Sequence, residues 1–120
     1  MNVLIVEHER ALSLLWRRHI ERQGMRVWVA HSQDEAITRL MHHPVDVIIL
    51  NLVLPDGSAF AISDFASYRC PSARVIFVTQ NSFFSDGSIF ALANNACALV
   101  QTHTPPEDLA SLVQHHALAQ

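Results

Sequence analysis

Short apolar runs alternate with amphipathic stretches along the whole chain, and this alternation limits the available folds more than any other property of the sequence. Five runs read as strands: 2–6 (NVLIV), 26–30 (RVWVA), 45–50 (VDVIIL), 74–78 (RVIFV) and 97–100 (CALV). They are rich in Val and Ile and barely interrupted by polar residues, as strands buried on both faces should be. The segments between them carry helical signals. Leu12, Leu15, Trp16 and Ile20 recur at helical spacing, and Gly24 follows in the place of a C-terminal stop. Ser32 with Glu35 three residues on forms a capping box that opens a second helix, which closes before Pro44. Helices are also expected over 58–69, 85–95 and 105–119, the last with prolines at its start. Strands separated by helices run parallel, and right-handed crossovers then place helices on both faces of one sheet. The expected fold class is therefore α/β, doubly wound, with a five-stranded parallel sheet.

One domain accounts for 120 residues, and with half of them hydrophobic there is enough apolar material for a single buried core. We therefore read residues 1–120 as one domain. No linker residues or low-complexity blocks appear, which favours a stand-alone protein. The net charge is −3, and the eight arginines are spread from Arg10 to Arg74 without forming a phosphate-tracking stripe, so direct nucleic-acid binding is not expected. Only five apolar residues precede the first charge, too few for a signal-peptide core or a membrane span. Cys70 and Cys97 form no CxxC pair, which fits a reduced interior and a cytoplasmic location.

In doubly wound sheets the functional crevice opens at the carboxyl ends of the strands. That directs attention to Glu7, His8 and Glu9, His31, Asn51, Thr79 and Gln101. Asn51 follows the apolar run 45–50 just before a Pro55-Asp56-Gly57 turn, where an amide needs a reason to interrupt a buried strand.

Four stretches in this order, VLIVEHE, VDVIILNLVLPDG, RVIFVT and ALVQTHTPPEDL, together resemble the receiver domains of two-component response regulators over essentially the whole chain. The resemblance implies a flavodoxin-like (CheY-like) fold of (βα)5 type with strand order 2-1-3-4-5. In that family two acidic residues after the first strand and an Asp after the third hold Mg²⁺. The latter Asp accepts a phosphoryl group, a Lys after the fifth strand pairs with it, and a hydroxyl after the fourth completes the switch. Carried over position by position, the acidic pair becomes Glu7 and His8, the acceptor Asn51, the hydroxyl Thr79 and the lysine Gln101; the switch aromatic falls at Ala98 or Leu99. Only Thr79 matches. An amide oxygen is a far weaker nucleophile than a carboxylate, the chain has no Lys at all, and hard Mg²⁺ prefers carboxylates. The resemblance thus implies a degenerate receiver without phosphoryl chemistry or a cofactor, with Mg²⁺ weakly bound or unbound. It implies signalling through protein contacts, as an adaptor, a decoy or a phosphorylation-independent regulator. The partners it implies are a histidine kinase, a phosphotransfer protein or another regulator, with a homodimer through the fourth helix, fifth strand and fifth helix as one arrangement.

Two other classes compete. A phospho-receiver with an unorthodox acceptor would use Glu7 or Asp56, but without the charge that neutralises a transferring phosphoryl group. A small-ligand-binding flavodoxin-like protein would need a phosphate-cradling loop at a strand end, and none is present. Glu7, His8 and Asn51 also suggest a transition-metal site, yet two ligands and an amide fall short of a closed one. The pairs His42-His43 and His115-His116 sit where helix ends are expected, which suits the dipole better than shared ligation. Phe83 and Phe84, in the loop before the fourth helix, read as a partner-binding anchor. Phe90 and Ile89 read as core contacts, as do Trp16 and Trp28.

Overall fold

A computed structural model describes residues 1–80 and 88–118, and in it all five apolar runs pair side by side as parallel strands. The elements alternate as β1 (Asn2–Val6), α1 (Arg10–Glu21), β2 (Arg26–Ala30), α2 (Gln33–His42), β3 (Val47–Asn51), α3 (Ala59–Arg69), β4 (Arg74–Thr79), α4 (Ile89–Leu92), β5 (Ala96–Gln101) and α5 (Pro106–Leu118). Spatial order is β2-β1-β3-β4-β5, so the chain reverses direction across the sheet between β1 and β3. The expected doubly wound topology is the one observed.

Period-two alternation sends successive side chains of each strand into different layers. Leu4 and Val6 of β1 join Ile48 and Leu50 of β3 beneath α2, α3 and α4, whereas Val3 and Ile5 join Val47 and Ile49 beneath α1 and α5. Trp16 and Ile20 fill the second layer and are almost wholly buried. Each such side chain contributes on the order of 1.5–3 kcal/mol through burial.

Local signals set the ends of the elements. The Ser32 hydroxyl accepts the Glu35 N–H at 3.2 Å, the cap expected from the sequence, while the Glu35 carboxylate reaches one residue past the cap to accept the His31 N–H at 3.3 Å. Gly24 adopts φ 85° after α1, a left-handed conformation that a side chain would strain. Ser58 caps α3 by accepting the Ala61 N–H, and Ser63 on α3 donates to Asn95 Oδ1 at 2.7 Å, tying that helix to the turn before β5.

Several expectations shift. The third strand runs from Val47 to Asn51 rather than over 45–50, which makes Asn51 its last residue. Trp28 is half-buried rather than in the core, because β2 is an edge strand; its ring stacks on His43 with centroids 4.3 Å apart. Leu15 is exposed on α1, and Phe90 is exposed on α4 while its neighbour Ile89 is fully buried. A register shift between Val75 and Ile76 breaks the β4–β5 ladder, so Val75 pairs with Ala96 but Ile76 with Ala98. Phe83 and Phe84 lie outside the described residues.

Candidate functional site

Three of the selected side chains meet directly at the carboxyl end of the sheet. Glu7 follows β1 and Asn51 closes β3, and because these strands are neighbours their side chains face each other across one strand spacing. The Asn51 amide nitrogen donates to Glu7 Oε1 at 2.5 Å. Both residues are buried, Glu7 with 1% and Asn51 with 9% of its surface exposed.

Each side-chain oxygen of the pair, and the Asn51 amide nitrogen, has a partner. Glu7 Oε2 accepts the backbone N–H of Glu9 at 2.9 Å and lies 3.2 Å from His8 Nδ1, whose ring is about half exposed. The carbonyl oxygen of Asn51 accepts the Val53 N–H at 2.9 Å, closing an Asx-type turn that starts the β3–α3 loop. A buried carboxylate is tolerated only when such donors replace its water. An amide fits here where a second carboxylate would not, because it offers a donor to Glu7 and an acceptor to Val53 at once.

Thr79 and Gln101 belong to the same end of the sheet. They close β4 and β5 as register partners, Thr79 buried and Gln101 half-buried. Here the backbone carries the structure: the Thr79 carbonyl accepts the Thr102 N–H at 2.9 Å, and the Gln101 carbonyl accepts the Thr104 N–H at 3.0 Å. The site therefore has a tightly bonded half, Glu7, His8 and Asn51, and a flanking half formed by the ends of β4 and β5.

The contacts of Gln33 with Gly57 and Ser58 escaped the reading of the sequence. The side-chain carbonyl of Gln33, on the first turn of α2, accepts the Ser58 N–H at 2.7 Å and lies against Gly57. A Cβ at position 57 would stand 2.5 Å from the Gln33 Cβ, so the close approach requires glycine. The loop that leaves Asn51 is thus fastened at its start by Asn51 and at its end by Gln33. The Pro-Asp-Gly turn signalled a tight loop, but nothing local signalled its tie to α2.

A magnesium ion, which the receiver resemblance implies, does not fit these donors. Both oxygens of Glu7 and the carbonyl oxygen of Asn51 already accept hydrogen bonds, and the pair contains a single carboxylate. Among the described residues no group of three or more His, Cys, Asp or Glu side chains is placed to hold a metal ion.

The response regulator receiver domain family matches residues 3–114 of this sequence. The chain belongs to that family. This receiver domain is 43% identical over 86 residues to the KDP operon transcriptional regulatory protein KdpE of Escherichia coli (strain K12), a stretch covering 71% of the chain and 37% of that longer relative. It therefore spans well under half the length of this curated relative. Among solved structures it superimposes on a CheY-like response regulator receiver domain protein from Methanospirillum hungatei JF-1 with a TM-score of 0.87, at 21% identity and covering 98% and 94% of the two chains. A response regulator from Burkholderia pseudomallei, solved with a phosphorylated aspartic acid, calcium ion and citrate, matches with a TM-score of 0.83 at 21% identity, covering 98% of this chain and 69% of that one. The structural likenesses establish the CheY-like flavodoxin fold, and the family match places the chain among the receiver domains of response regulators. No described helix is long and apolar enough to cross a membrane.

Proposed function

We propose that this receiver domain takes no phosphoryl group and signals through protein contacts alone. The observation that carries the reading is the Asn51–Glu7 hydrogen bond. In a receiver with an Asp at this position, two neighbouring carboxylates repel each other, and a bound divalent cation relieves the repulsion and presents the phosphoryl donor. Here the amide relieves it permanently and without a metal, so the pocket is satisfied in a single state. Asn51 at the acceptor position, His8 at the second acidic position and Gln101 at the lysine position together remove the nucleophile, a metal ligand and the countercharge. The domain is on this reading not an enzyme toward phosphodonors.

Its partners are then a histidine kinase, a phosphotransfer protein or another regulator, met in the cytoplasm. It serves there as an adaptor or decoy, or it regulates independently of phosphorylation. Phe83 and Phe84 are the proposed anchors, and the α4, β5 and α5 face the proposed homodimer surface.

Incubation with Mg²⁺ and acetyl phosphate, followed by intact-mass measurement, tests the reading. The mass stays unchanged in wild type. A phosphoryl adduct on Glu7 or Asp56 would overturn the proposal in favour of an unorthodox acceptor. Glu7 is poorly suited to that role, with both oxygens bonded in a buried position, and Asp56 projects on the exposed part of the loop.

A further inference from the structure

Charge in this domain is polarised along the strand axis. Where helices begin and strands end lie Glu9, Asp34, Glu35, Asp56, Glu107 and Asp108, opposed there by Arg10 at the start of α1. Where helices finish and strands begin lie Arg18, Arg22, Arg26, Arg39, Arg69 and Arg74, opposed there by Glu21 and Asp46. The last turns of α2 and α5 add His42, His115 and His116 to the same end. Helix dipoles favour this sorting and explain part of it.

One end offers an exposed loop and the other a cavity, each with apolar surface. At the acidic end the β3–α3 loop projects Val53, 65% exposed, followed by exposed Pro55 and Asp56. Gln33 and Asn51 fasten this loop at both ends, so it is a preformed knob whose burial costs little ordering entropy. At the basic end a cavity of about 450 Å³ opens between the α2–β3 and α3–β4 connections, lined by Met41, His42, His43, Pro44, Arg69 and Cys70 among others. Met41 is 50% exposed at its rim. The Arg69 guanidinium crosses that rim to donate to the Met41 carbonyl at 3.0 Å, with its remaining donors on an exposed side chain. Asp46 also lines the cavity, its Oδ2 accepting the Asn2 N–H at 2.8 Å. The socket thus presents apolar walls and an arginine, and the knob presents apolar residues and a carboxylate.

We infer that the basic-end cavity receives the Val53–Asp56 loop of a second copy of this chain, with Asp56 meeting Arg69, so that domains stack head to tail along their strand axes. Such a contact is heterologous: each copy offers a knob at one end and a socket at the other, and association continues into short rows or a ring. It also covers the approach to the Asn51 pocket. The inference does not rest on the absence of phosphorylation, and it is distinct from a two-fold dimer through α4, β5 and α5.

Sedimentation velocity over roughly 10 μM to 1 mM, where a small contact is populated, reads the association directly. The weight-average sedimentation coefficient of wild type rises with concentration in low salt. It falls back to the monomer value in about 0.5 M salt, where the Debye length shrinks to roughly 4–5 Å. Asp56→Arg alone and Arg69→Glu alone each remain monomeric, since like charges then face each other. Mixing the two variants restores association, because each knob again finds a socket of opposite charge, and this rescue also excludes misfolding as the cause of the single losses. Three results would overturn the inference: a wild type monomeric throughout, single variants that still associate, or a mixture that stays monomeric. Association indifferent to both substitutions would assign self-contact to another face.

Discussion

Replacing Asn51 with Asp puts a second carboxylate where the amide now donates to Glu7. At the observed 2.5 Å and an effective dielectric constant of about 20, two ionised oxygens would repel by ~6–7 kcal/mol. The variant escapes by keeping one proton on the pair. Holding a proton at about pH 7 on a carboxyl of ordinary pKa ~3.9 costs about 4 kcal/mol, at ~1.36 kcal/mol per pH unit, which caps the penalty. Local relaxation lowers it further, so Asn51→Asp should destabilise the domain by about 2–4 kcal/mol near neutral pH. The sign with pH follows. The pair's folded-state affinity for its shared proton exceeds that of the unfolded chain, so the deficit grows as pH rises above the unfolded carboxylate range and shrinks as pH falls into it. Urea unfolding of both proteins at about pH 7 and about pH 4 measures it: a large gap at the first and under about 1 kcal/mol at the second. Millimolar Mg²⁺ should narrow the gap at neutral pH by stabilising the variant only. Equal stability of the two proteins at neutral pH without a divalent cation would refute the buried contact on which this reasoning stands.

Other outcomes follow from the same geometry. Gly57→Ala should cost about 1–3 kcal/mol in urea unfolding, as overpacking does, and speed hydrogen exchange at Ser58 N–H, while Gln33→Gly with Gly57→Ala, which removes the Cβ that the new methyl meets, should cost less than the sum of the single changes. Burial pushes the Cys97 thiol up to about 11, with Arg74 opposing, so native-state alkylation at about pH 8 should run roughly 100-fold slower than in urea; equal rates would place the thiol in solvent. Burial, aided by His115 and Arg74, lowers the His116 pKa below its usual 6.5. The unfolded chain therefore binds its proton first, and stability falls as pH drops through 6.5 and levels off below the folded value. His116→Gln should flatten that slope, as read from melting temperature against pH.

The fold was legible because buried parallel strands write themselves as continuous Val and Ile runs, and helix caps as Ser, Gly and Pro. The runs 45–50 and 74–78 were recognisable without tertiary information and fall within two residues of Val47–Asn51 and Arg74–Thr79, and Asn51 was conspicuous as an amide at the end of such a run. Position on the sheet was less legible. Trp28 has the periodicity of a core residue, but exposure depends on β2 being an edge, which only strand order reveals. Leu15 and Phe90 failed for a related reason: helical spacing names an apolar face without fixing its width. The site divides in the same way. Residue types at strand ends selected Glu7, His8 and Asn51, but the direction of the Asn51–Glu7 hydrogen bond and the hold of Gln33 on Ser58 join residues 44 and 25 positions apart in sequence. No local pattern encodes such pairs.

The most direct test of the central claim is an amide-resolved NMR titration of the ¹⁵N-labelled domain with Mg²⁺, then with Mg²⁺ and beryllofluoride, following the Asn51 side-chain NH₂ and the Val53 and Glu9 backbone N–H signals. A pocket closed by Asn51 and Glu7 predicts a downfield Asn51 amide proton from its bond to the carboxylate, and no saturable shift at any of the three sites with either addition. Saturable shifts at Asn51, Val53 and Glu9 on adding Mg²⁺ and beryllofluoride would mean that the pocket opens to a metal and a phosphoryl mimic, and would contradict the account.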